Sequence, residues 1–176
     1  NCEIVLIDPL TDSQLCSKDK GYAITQSSRK IFENMGLWKN LKKYSSGFNS
    51  LSIIDNEISQ TVVIRTNDLK KFNKNQKSIG WVLEHKNLMQ ILLDTINKNK
   101  YIKRLNFDPK IDKGFDLILA ADGRDSSSRS DWKIGYLKRL YSQRCISFKA
   151  VLKEAPPKRA YEIFRHEGPL ALLPLE

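Results

Sequence analysis

Short apolar runs, each ended by polar or acidic residues, divide this chain into predicted strands and helices. Residues 3–7 form one such run, and residues 115–121 form another. Continuous apolar runs of this length are typical of strands that are buried on both faces of a parallel sheet. Helical spacing of apolar residues, with serines able to cap the first helix, predicts helices over 27–35 and 86–98.

Other parts of the chain show the alternation that is typical of antiparallel strands. Apolar residues at every second position of 145–151 predict a strand with one buried face. The polar residues Asn56 and Glu57 predict a turn between two strands. We interpret 9–26 and 70–77 as loops. The remaining apolar runs predict strands at 51–55, 61–65, 81–83, 161–165 and 170–173.

These patterns predict an α/β fold made of two interleaved domains. A Rossmann-like domain is expected over 1–47 and 83–135, and a domain built on an antiparallel β-sheet over 48–82 and 136–176. In the first domain, the predicted strands that begin at Glu3 and Phe115 should lie in one mainly parallel sheet.

The composition gives a basic protein without a concentrated basic tail. The 176 residues include 30 Lys and Arg against 20 Asp and Glu, which gives a net charge of +10. Because no block of cations is interleaved with aromatic residues, we interpret this charge as a solvated surface. No apolar run approaches the ~20 residues needed to span a bilayer, and no secretory signal is visible. A cytoplasmic protein is predicted, with peripheral membrane association left open.

Cysteine and histidine are too few for several classes of site. The three cysteines, Cys2, Cys16 and Cys145, are an odd number and lack the spacing of a metal site. His85 and His166 are the only histidines and lie far apart in the sequence. We therefore expect no disulfide framework, no metal site and no Ser-His-Asp triad.

The most specific motif follows the apolar run at 115–121. It contains Asp122 and Gly123, followed by Ser126 and Arg129, in the pattern Ala-Asp-Gly-x-x-Ser-x-x-Arg. Glycine permits close approach of a ligand to the backbone, and a carboxylate accepts hydrogen bonds from hydroxyl groups. The pattern resembles the Asp-Gly motif of the flavin-dependent aromatic-ring hydroxylases, which have the para-hydroxybenzoate hydroxylase-like fold.

The resemblance implies that Asp122 lies near the pyrophosphate and ribityl chain of FAD, with Gly123 and Arg129 beside it. For Arg129 a structural role, in which it pairs with Asp122 or Asp125, is the alternative.

A second motif narrows the resemblance to the ubiquinone-biosynthesis hydroxylases. Residues 168–174 read Gly-Pro-Leu-Ala-Leu-Leu-Pro. In that family the corresponding strand helps to wall the aromatic-substrate cavity over the flavin, which implies substrate-binding roles for Leu170, Leu172 and Pro174. A packed strand with prolines near its ends is the alternative.

Two further segments match the family less closely. Lys20 begins Lys-Gly-Tyr-Ala-Ile-Thr, where the family has an arginine close to the flavin and its phosphates. Lysine keeps the charge of that arginine but lacks its planar fork. His85 lies in a strand-to-helix turn that, in the family, approaches the isoalloxazine ring. A surface lysine and a surface or capping histidine are the alternatives.

Asp8 ends the first predicted strand, where an acidic residue can bind the ribose hydroxyls of a dinucleotide. That role requires a Gly-rich turn upstream, and the chain contains no G-x-G-x-x-G; an ordinary strand end is the alternative.

The resemblance therefore predicts a fragment that lacks the N-terminal Gly-rich motif and the C-terminal part of the family. The stretch 99–115 is also shorter than in relatives.

For the whole protein, the resemblance implies a monooxygenase that uses FAD, NAD(P)H and O2 to hydroxylate an aromatic ring. The implied substrate is a prenylated phenol of ubiquinone or related prenyl-quinone biosynthesis. A homo-oligomer or a quinone-biosynthesis complex is left open, and no nucleic-acid partner is expected. Because the flavin carries the chemistry, no residue is assigned a catalytic role. The 176 residues alone are expected to be inactive.

Two alternatives to this function stay open. One is a flavin-dependent reductase of a prenyl chain on the same fold. The other, more distant, is a basic module that binds nucleic acid or lipid without flavin, and it predicts affinity with a steep salt dependence.

Overall fold

The computed structural model describes residues 2–69, 77–106, 114–154 and 157–175. Within these ranges the chain forms six α-helices, one 3₁₀ helix (Lys42–Tyr44) and nine strands. The helices are α1 (Asp12–Cys16), α2 (Gln26–Asn34), α3 (Trp38–Leu41), α4 (Thr66–Leu69), α5 (His85–Asn97) and α6 (Ser127–Asp131). The strands are β1 (Ile4–Ile7), β2 (Gly21–Ile24), β3 (Ser45–Phe48), β4 (Ser50–Asp55), β5 (Gln60–Arg65), β6 (Gly80–Glu84), β7 (Ile102–Leu105), β8 (Arg159–Phe164) and β9 (Leu170–Leu172).

The described strands form three sheets. β1 pairs in parallel with β7, and β6 lies between β2 and β3 and is antiparallel to both. The largest sheet has the order β5-β4-β8-β9, in which β4 and β8 run parallel and the outer pairs run antiparallel. The predicted α/β fold class is therefore confirmed, although the predicted antiparallel sheet contains one parallel pair.

The main hydrophobic core lies on one face of β6. Alternation along the strand places Trp81 and Leu83 on this face, and both are buried. The ring of Trp38 meets that of Trp81 edge-on, with 4.8 Å between the ring centroids. The other buried members of this cluster are Ile24, Leu37 and Leu41. The core therefore joins β2, β6 and the α3 region, and it fixes the strand-to-helix turn between β6 and α5.

The opposite face of β6 packs against residues of β3 and β8. Val82 packs there with Phe48 of β3 and Ala160 of β8. A Cβ atom added to Gly80 would lie 2.6 Å from Phe48 Cζ, closer than carbon atoms approach in proteins. Glycine at position 80 therefore allows the Phe48 ring to lie directly against the start of β6.

The two predicted helices are confirmed, with a different cap on the first. Helix α2 is capped by Thr25, whose hydroxyl oxygen accepts a hydrogen bond from the Ser28 N–H at 3.3 Å. The predicted caps, Ser27 and Ser28, lie inside the helix. Just beyond its C-terminus, Gly36 has φ +71°, a left-handed conformation that glycine adopts readily.

The predicted loop at 9–26 is wrong in part, because it contains α1 and β2 as well as the start of α2. Helix α1 begins with a capping box: the Thr11 hydroxyl accepts from the Gln14 N–H at 3.3 Å, and the Thr11 N–H donates to Gln14 Oε1 at 2.9 Å. Strand β2 is defined by its pairing with β6, a distant part of the chain. The spacing of apolar residues within a short segment does not reveal pairing with a strand so far away in the chain.

The predicted buried strand at 115–121 is wrong. These residues form no strand, and the side chains of Leu117 and Leu119 are 73% and 80% exposed. The parallel partner of β1 is β7, with Ile4 opposite Ile102. A strand requires a neighbour that completes its backbone hydrogen bonds, and no strand of the described ranges pairs with 115–121.

The predicted strand at 145–151 is also wrong. Its apolar residues Ile146, Phe148 and Val151 are 82%, 74% and 101% exposed. Strand β8, which we expected in the same antiparallel sheet, is paired on both edges by β4 and β9. An alternating pattern does not reveal whether the fold leaves a sheet edge available for the segment.

The remaining predicted strands are confirmed as β1, β4, β5, β6, β8 and β9, with small shifts at their ends. The predicted burial of β1 on both faces is wrong, because Ile4 and Leu6 are 48% and 37% exposed. The short stretch 99–115 contains β7. The predicted loop at 70–77 lies, apart from Lys77, outside the described residues. The division into two domains stays a prediction. No helix in the described part of the chain is long and apolar enough to cross a membrane.

Candidate functional site

His85 is buried at the start of α5 and joins three parts of the chain. Its Nδ1 lies 2.7 Å from the Tyr22 hydroxyl of β2, and its Nε2 lies 2.6 Å from the carbonyl oxygen of Leu15 in α1. Because a carbonyl oxygen only accepts, Nε2 donates to Leu15, and Nδ1 accepts from the Tyr22 hydroxyl. Both ring nitrogens of His85 are therefore used within the protein.

Lys20 lies in the turn before β2, and the same network holds this turn in place. The backbone N–H of His85 donates to the carbonyl oxygen of Lys20 at 2.8 Å. The Nζ of Lys20 lies 5.0 Å from the centroid of the Tyr22 ring, which places the cation over the aromatic face. The Lys20 side chain is exposed. The structure thus brings Lys20 and His85 together, with Tyr22 between them.

Lys149 comes from a distant, irregular segment to the same side of the protein. Its Nζ lies 2.5 Å from Asp19 Oδ1 and 2.8 Å from Glu84 Oε1. Hydrogen bonds to these two carboxylates raise the pKa of Lys149 above its ordinary value. The three side chains line a cleft of about 110 Å³ together with Cys16, Ser17, Lys18, Lys20 and Lys86.

Asp122 closes the turn that precedes α6. Its carboxylate accepts hydrogen bonds from the Ser126 hydroxyl at 2.6 Å and from the Ser128 N–H at 3.0 Å, and the Ser127 hydroxyl lies 3.5 Å away. The bonds from Ser126 and Ser128 hold the pKa of Asp122 well below its usual range. Gly123 has φ +88°, a left-handed backbone conformation that favours glycine.

Arg129 closes the same turn from the other side. Its Nη1 and Nη2 donate to the carbonyl oxygens of Arg124 and Gly123, each at 3.1 Å. Its guanidinium also lies 4.7 Å from the centroid of the Tyr136 ring. Asp125 pairs instead with Arg124, at 3.0 Å. Arg129 therefore stabilises the turn through carbonyl oxygens. The structural alternative expected a pairing with Asp122 or Asp125, and that part of it is wrong.

Asp8 lies directly after β1 and is half-buried. Its N–H donates to the carbonyl oxygen of Leu105 at 3.1 Å, and its Oδ1 accepts from the Leu10 N–H at 2.9 Å. Both bonds fix the turn at the end of the strand. A contact with a ribose hydroxyl stays a prediction.

The predicted substrate wall is strand β9. Leu170 and Leu172 are half-buried and lie opposite Ile163 and Tyr161 of β8. Beyond Pro174 the chain passes close to the turn that carries Lys20: a Cβ atom added to Gly21 would lie 4.0 Å from Leu175 Cδ2. The segment that follows β9 therefore approaches one of the predicted cofactor-binding residues.

The predicted cofactor-binding residues fall into separate groups. Lys20 and His85 belong to the first group, and the Asp-Gly turn of residues 122–129 forms the second. Within the described ranges, no hydrogen bond or ion pair joins these two groups. The roles of Tyr22 and Lys149 were not predicted from the sequence, because they depend on contacts with residues far away in the chain.

Acidification is expected to open the Asp-Gly turn. The folded-state pKa of Asp122 is lowered, so the stability that its hydrogen bonds give the turn is complete above the unfolded carboxyl pKa of about 4. That stability decreases as the pH falls from there towards the lowered folded-state pKa. Protection of the Ser128 amide against hydrogen exchange should therefore decrease between about pH 5 and pH 2. In Asp122→Asn this pH dependence should disappear. Constant protection of Ser128 in the unaltered chain over this range would contradict the prediction.

Comparison with known proteins finds a distant relative in sequence and solved structures that share the fold of this chain. No protein-family profile matches the chain. It is 27% identical over 194 residues to the uncharacterized protein slr1300 of Synechocystis sp. (strain ATCC 27184 / PCC 6803 / Kazusa), covering 98% of this chain and 45% of that protein.

Two solved structures of HpxO from Klebsiella pneumoniae are similar over nearly the whole chain. The complex of HpxO with FAD and uric acid has a TM-score of 0.63 at 12% identity, covering 99% of this chain and 54% of HpxO. The R204Q HpxO complex with FAD has a TM-score of 0.61 at 11% identity, covering 100% and 55%. The chain thus spans about half the length of these proteins. At this level of identity the comparison shows the fold: these residues have the fold of the corresponding half of HpxO.

Proposed function

We propose that the protein that contains this chain is an FAD-dependent monooxygenase that hydroxylates an aromatic ring with NAD(P)H and O2. We further propose a prenylated phenol of ubiquinone or related prenyl-quinone biosynthesis as its substrate. The observation that carries the proposal is the shared fold with HpxO, which was solved with FAD. The uric acid in one of those complexes supports a small-molecule substrate.

The Asp-Gly turn has room for a cofactor. A Cβ atom added to Gly123 would have no atom within 4 Å, so the backbone is open to a ligand at this point. The Asp122 carboxylate already accepts from Ser126 and Ser128, which fixes its orientation. A carboxylate offers about four acceptor positions, so Asp122 can still accept a hydroxyl of a ribityl or ribose chain. The residues present therefore fit the predicted contact with FAD.

Lys20 supplies a fixed positive charge for the phosphates of FAD. Its exposed ammonium group lies over the Tyr22 ring, and the turn that carries it is held by His85. When bound, FAD would supply the hydride- and oxygen-dependent chemistry. The chain's own residues would bind the cofactor, orient it and line the substrate cavity, with Leu170, Leu172 and Pro174 as the proposed wall.

Asp122→Ala is expected to weaken FAD binding by the protein expressed from its complete reading frame. A hydrogen bond to a charged group contributes roughly 1.5–3 kcal/mol, which corresponds to an increase of about 10- to 150-fold in Kd. Asp125→Ala is the matched control, since Asp125 is exposed and pairs only with the neighbouring Arg124 among described residues. The Kd of each variant is measured by titration of the apoprotein with FAD.

A purely structural role for Asp122 makes a different prediction. The substitution would then lower the melting temperature equally in apoprotein and FAD-bound protein, and the Kd for FAD would not change. That pair of results would reject the contact between Asp122 and FAD.

A further inference from the structure

The segment 134–152 lies against the rest of the protein with few contacts to hold it there. It forms no helix and no strand, and all of its residues are exposed. The Nζ of Lys149 nevertheless lies 2.5 Å from Asp19 Oδ1 and 2.8 Å from Glu84 Oε1. Within the described ranges, no other hydrogen bond or ion pair joins this segment to β2, β6 or α5. Its attachment to this side of the protein therefore depends chiefly on one ammonium group.

The two carboxylates that receive Lys149 are placed by the fold. Glu84 lies opposite Gly21 in the pairing of β2 with β6, and Asp19 lies two residues before Gly21. The hydrogen bond from the His85 N–H to the Lys20 carbonyl oxygen holds the same turn. Two carboxylates held close together repel each other, and a cation between them relieves that repulsion. The place for an ammonium group is therefore present whether or not the segment 134–152 occupies it.

We propose that Lys149 is a reversible ionic latch, which closes the segment 134–152 over the cleft beside the C-terminal end of α1. Cys16 is half-buried and lines this cleft of about 110 Å³ together with Lys149. Cys16 also lines a neighbouring groove of about 500 Å³. When the latch opens, the segment moves away and solvent gains access to Cys16 from both sides.

The exposure of the three charged groups makes the latch reversible. The side chains of Lys149, Glu84 and Asp19 are 37%, 35% and 75% exposed. Ion pairs at such positions are individually weak and are screened by salt. Three further lysines line the same cleft, so positive charge stays beside the carboxylates when Lys149 leaves. Opening therefore costs little, and it depends on no bound cofactor, so the inference goes beyond the proposed function.

The rate at which iodoacetamide alkylates Cys16 measures the opening of the latch. The protein is expressed from its complete reading frame, and alkylation of Cys16 is followed by mass spectrometry of its peptide. Lys149→Met keeps a side chain of similar length without the charge, and it should raise the rate roughly three- to tenfold. Loss of a nearby positive charge by itself disfavours a thiolate and slows alkylation, so a faster reaction reports access.

Two further variants and a salt series separate the latch from other effects. Lys149→Arg keeps the charge and should leave the rate close to that of the unaltered protein. Lys153→Met is the matched control, because it removes the same charge from an exposed lysine just after the segment. Raising the salt concentration from ~0.05 M to ~1 M should accelerate alkylation in the unaltered protein but not in Lys149→Met.

Three results would overturn the inference: no faster alkylation in Lys149→Met, an equal effect of Lys153→Met, or the same salt dependence with and without Lys149. Melting temperatures are recorded for every variant. If Lys149→Met does not fold, the salt series on the unaltered protein decides, and a constant rate for Cys16 would reject the latch. FAD binding is a separate readout: a protein that binds no FAD but shows these changes would reject the proposed function and support the latch.

Discussion

Leu83→Ala is expected to lower the free energy of unfolding by about 2–5 kcal/mol. Leu83 of β6 has no exposed surface and packs with Trp81 and the α3 region in the main core. The truncated side chain loses its burial and leaves a cavity that this closely packed core fills only in part. Urea denaturation, followed by tryptophan fluorescence, measures the change.

Leu137→Ala is the matched control for this prediction. The Leu137 side chain is 104% exposed, so the same truncation should change the free energy of unfolding by less than about 0.5 kcal/mol. Equal effects at Leu83 and Leu137 would show that β6 is not the centre of the core.

His85→Leu is expected to lower the free energy of unfolding by about 2–4 kcal/mol. The substitution introduces an apolar side chain of similar size. It removes the hydrogen-bond partners of the Leu15 carbonyl oxygen and the Tyr22 hydroxyl. A buried polar group without a partner costs about 1–3 kcal/mol. The free energy of unfolding is again measured in urea.

A double-mutant cycle tests whether His85 and Tyr22 act together. Tyr22→Phe removes only the hydroxyl, and after His85→Leu it should cost less than it does alone, with a coupling energy of about 0.5–3 kcal/mol. His85→Gln should retain more stability than His85→Leu, since an amide can donate to Leu15 and accept from Tyr22. Strictly additive effects of the two substitutions would contradict the shared network.

The spacing of apolar residues correctly predicted those elements whose helix ends, turns and apolar faces are encoded by residues close together in the sequence. Helix α5 keeps apolar residues at helical spacing, and Gly36 marks the end of α2. The strands of the largest sheet carry clear apolar runs with a polar turn between β4 and β5. These elements were predicted because spacing, capping and turn residues agree with one another.

The two predicted strands that are wrong depend on partners that lie far away in the chain. The apolar run at 115–121 and the alternating run at 145–151 have the pattern of strands, but no strand in the described ranges pairs with either. Conversely, the short strand β2 has little pattern of its own and depends on pairing with β6. The spacing of apolar residues indicates which face of a segment is apolar. Whether that segment pairs as a strand depends on which sheet edges the rest of the fold leaves open.

In the candidate site too, local contacts were predicted from the sequence and contacts between distant residues were not. The Asp-Gly motif was found from sequence because its hydrogen bonds are local: Asp122 contacts residues four and six positions ahead. The network of His85, Tyr22 and Leu15 spans 70 residues and was not found. His85 was selected by resemblance as a flavin contact, and in the structure its ring nitrogens bond Tyr22 and Leu15.

We propose that this chain belongs to a protein that binds FAD. The most direct test is the absorption spectrum of the desalted protein, expressed from its complete reading frame, followed by identification of any cofactor released on denaturation. We predict flavin absorption bands that correspond to about one FAD per protein chain. A colourless protein that releases no flavin, and that shows no spectral change or rise in melting temperature when FAD is added, would contradict the account.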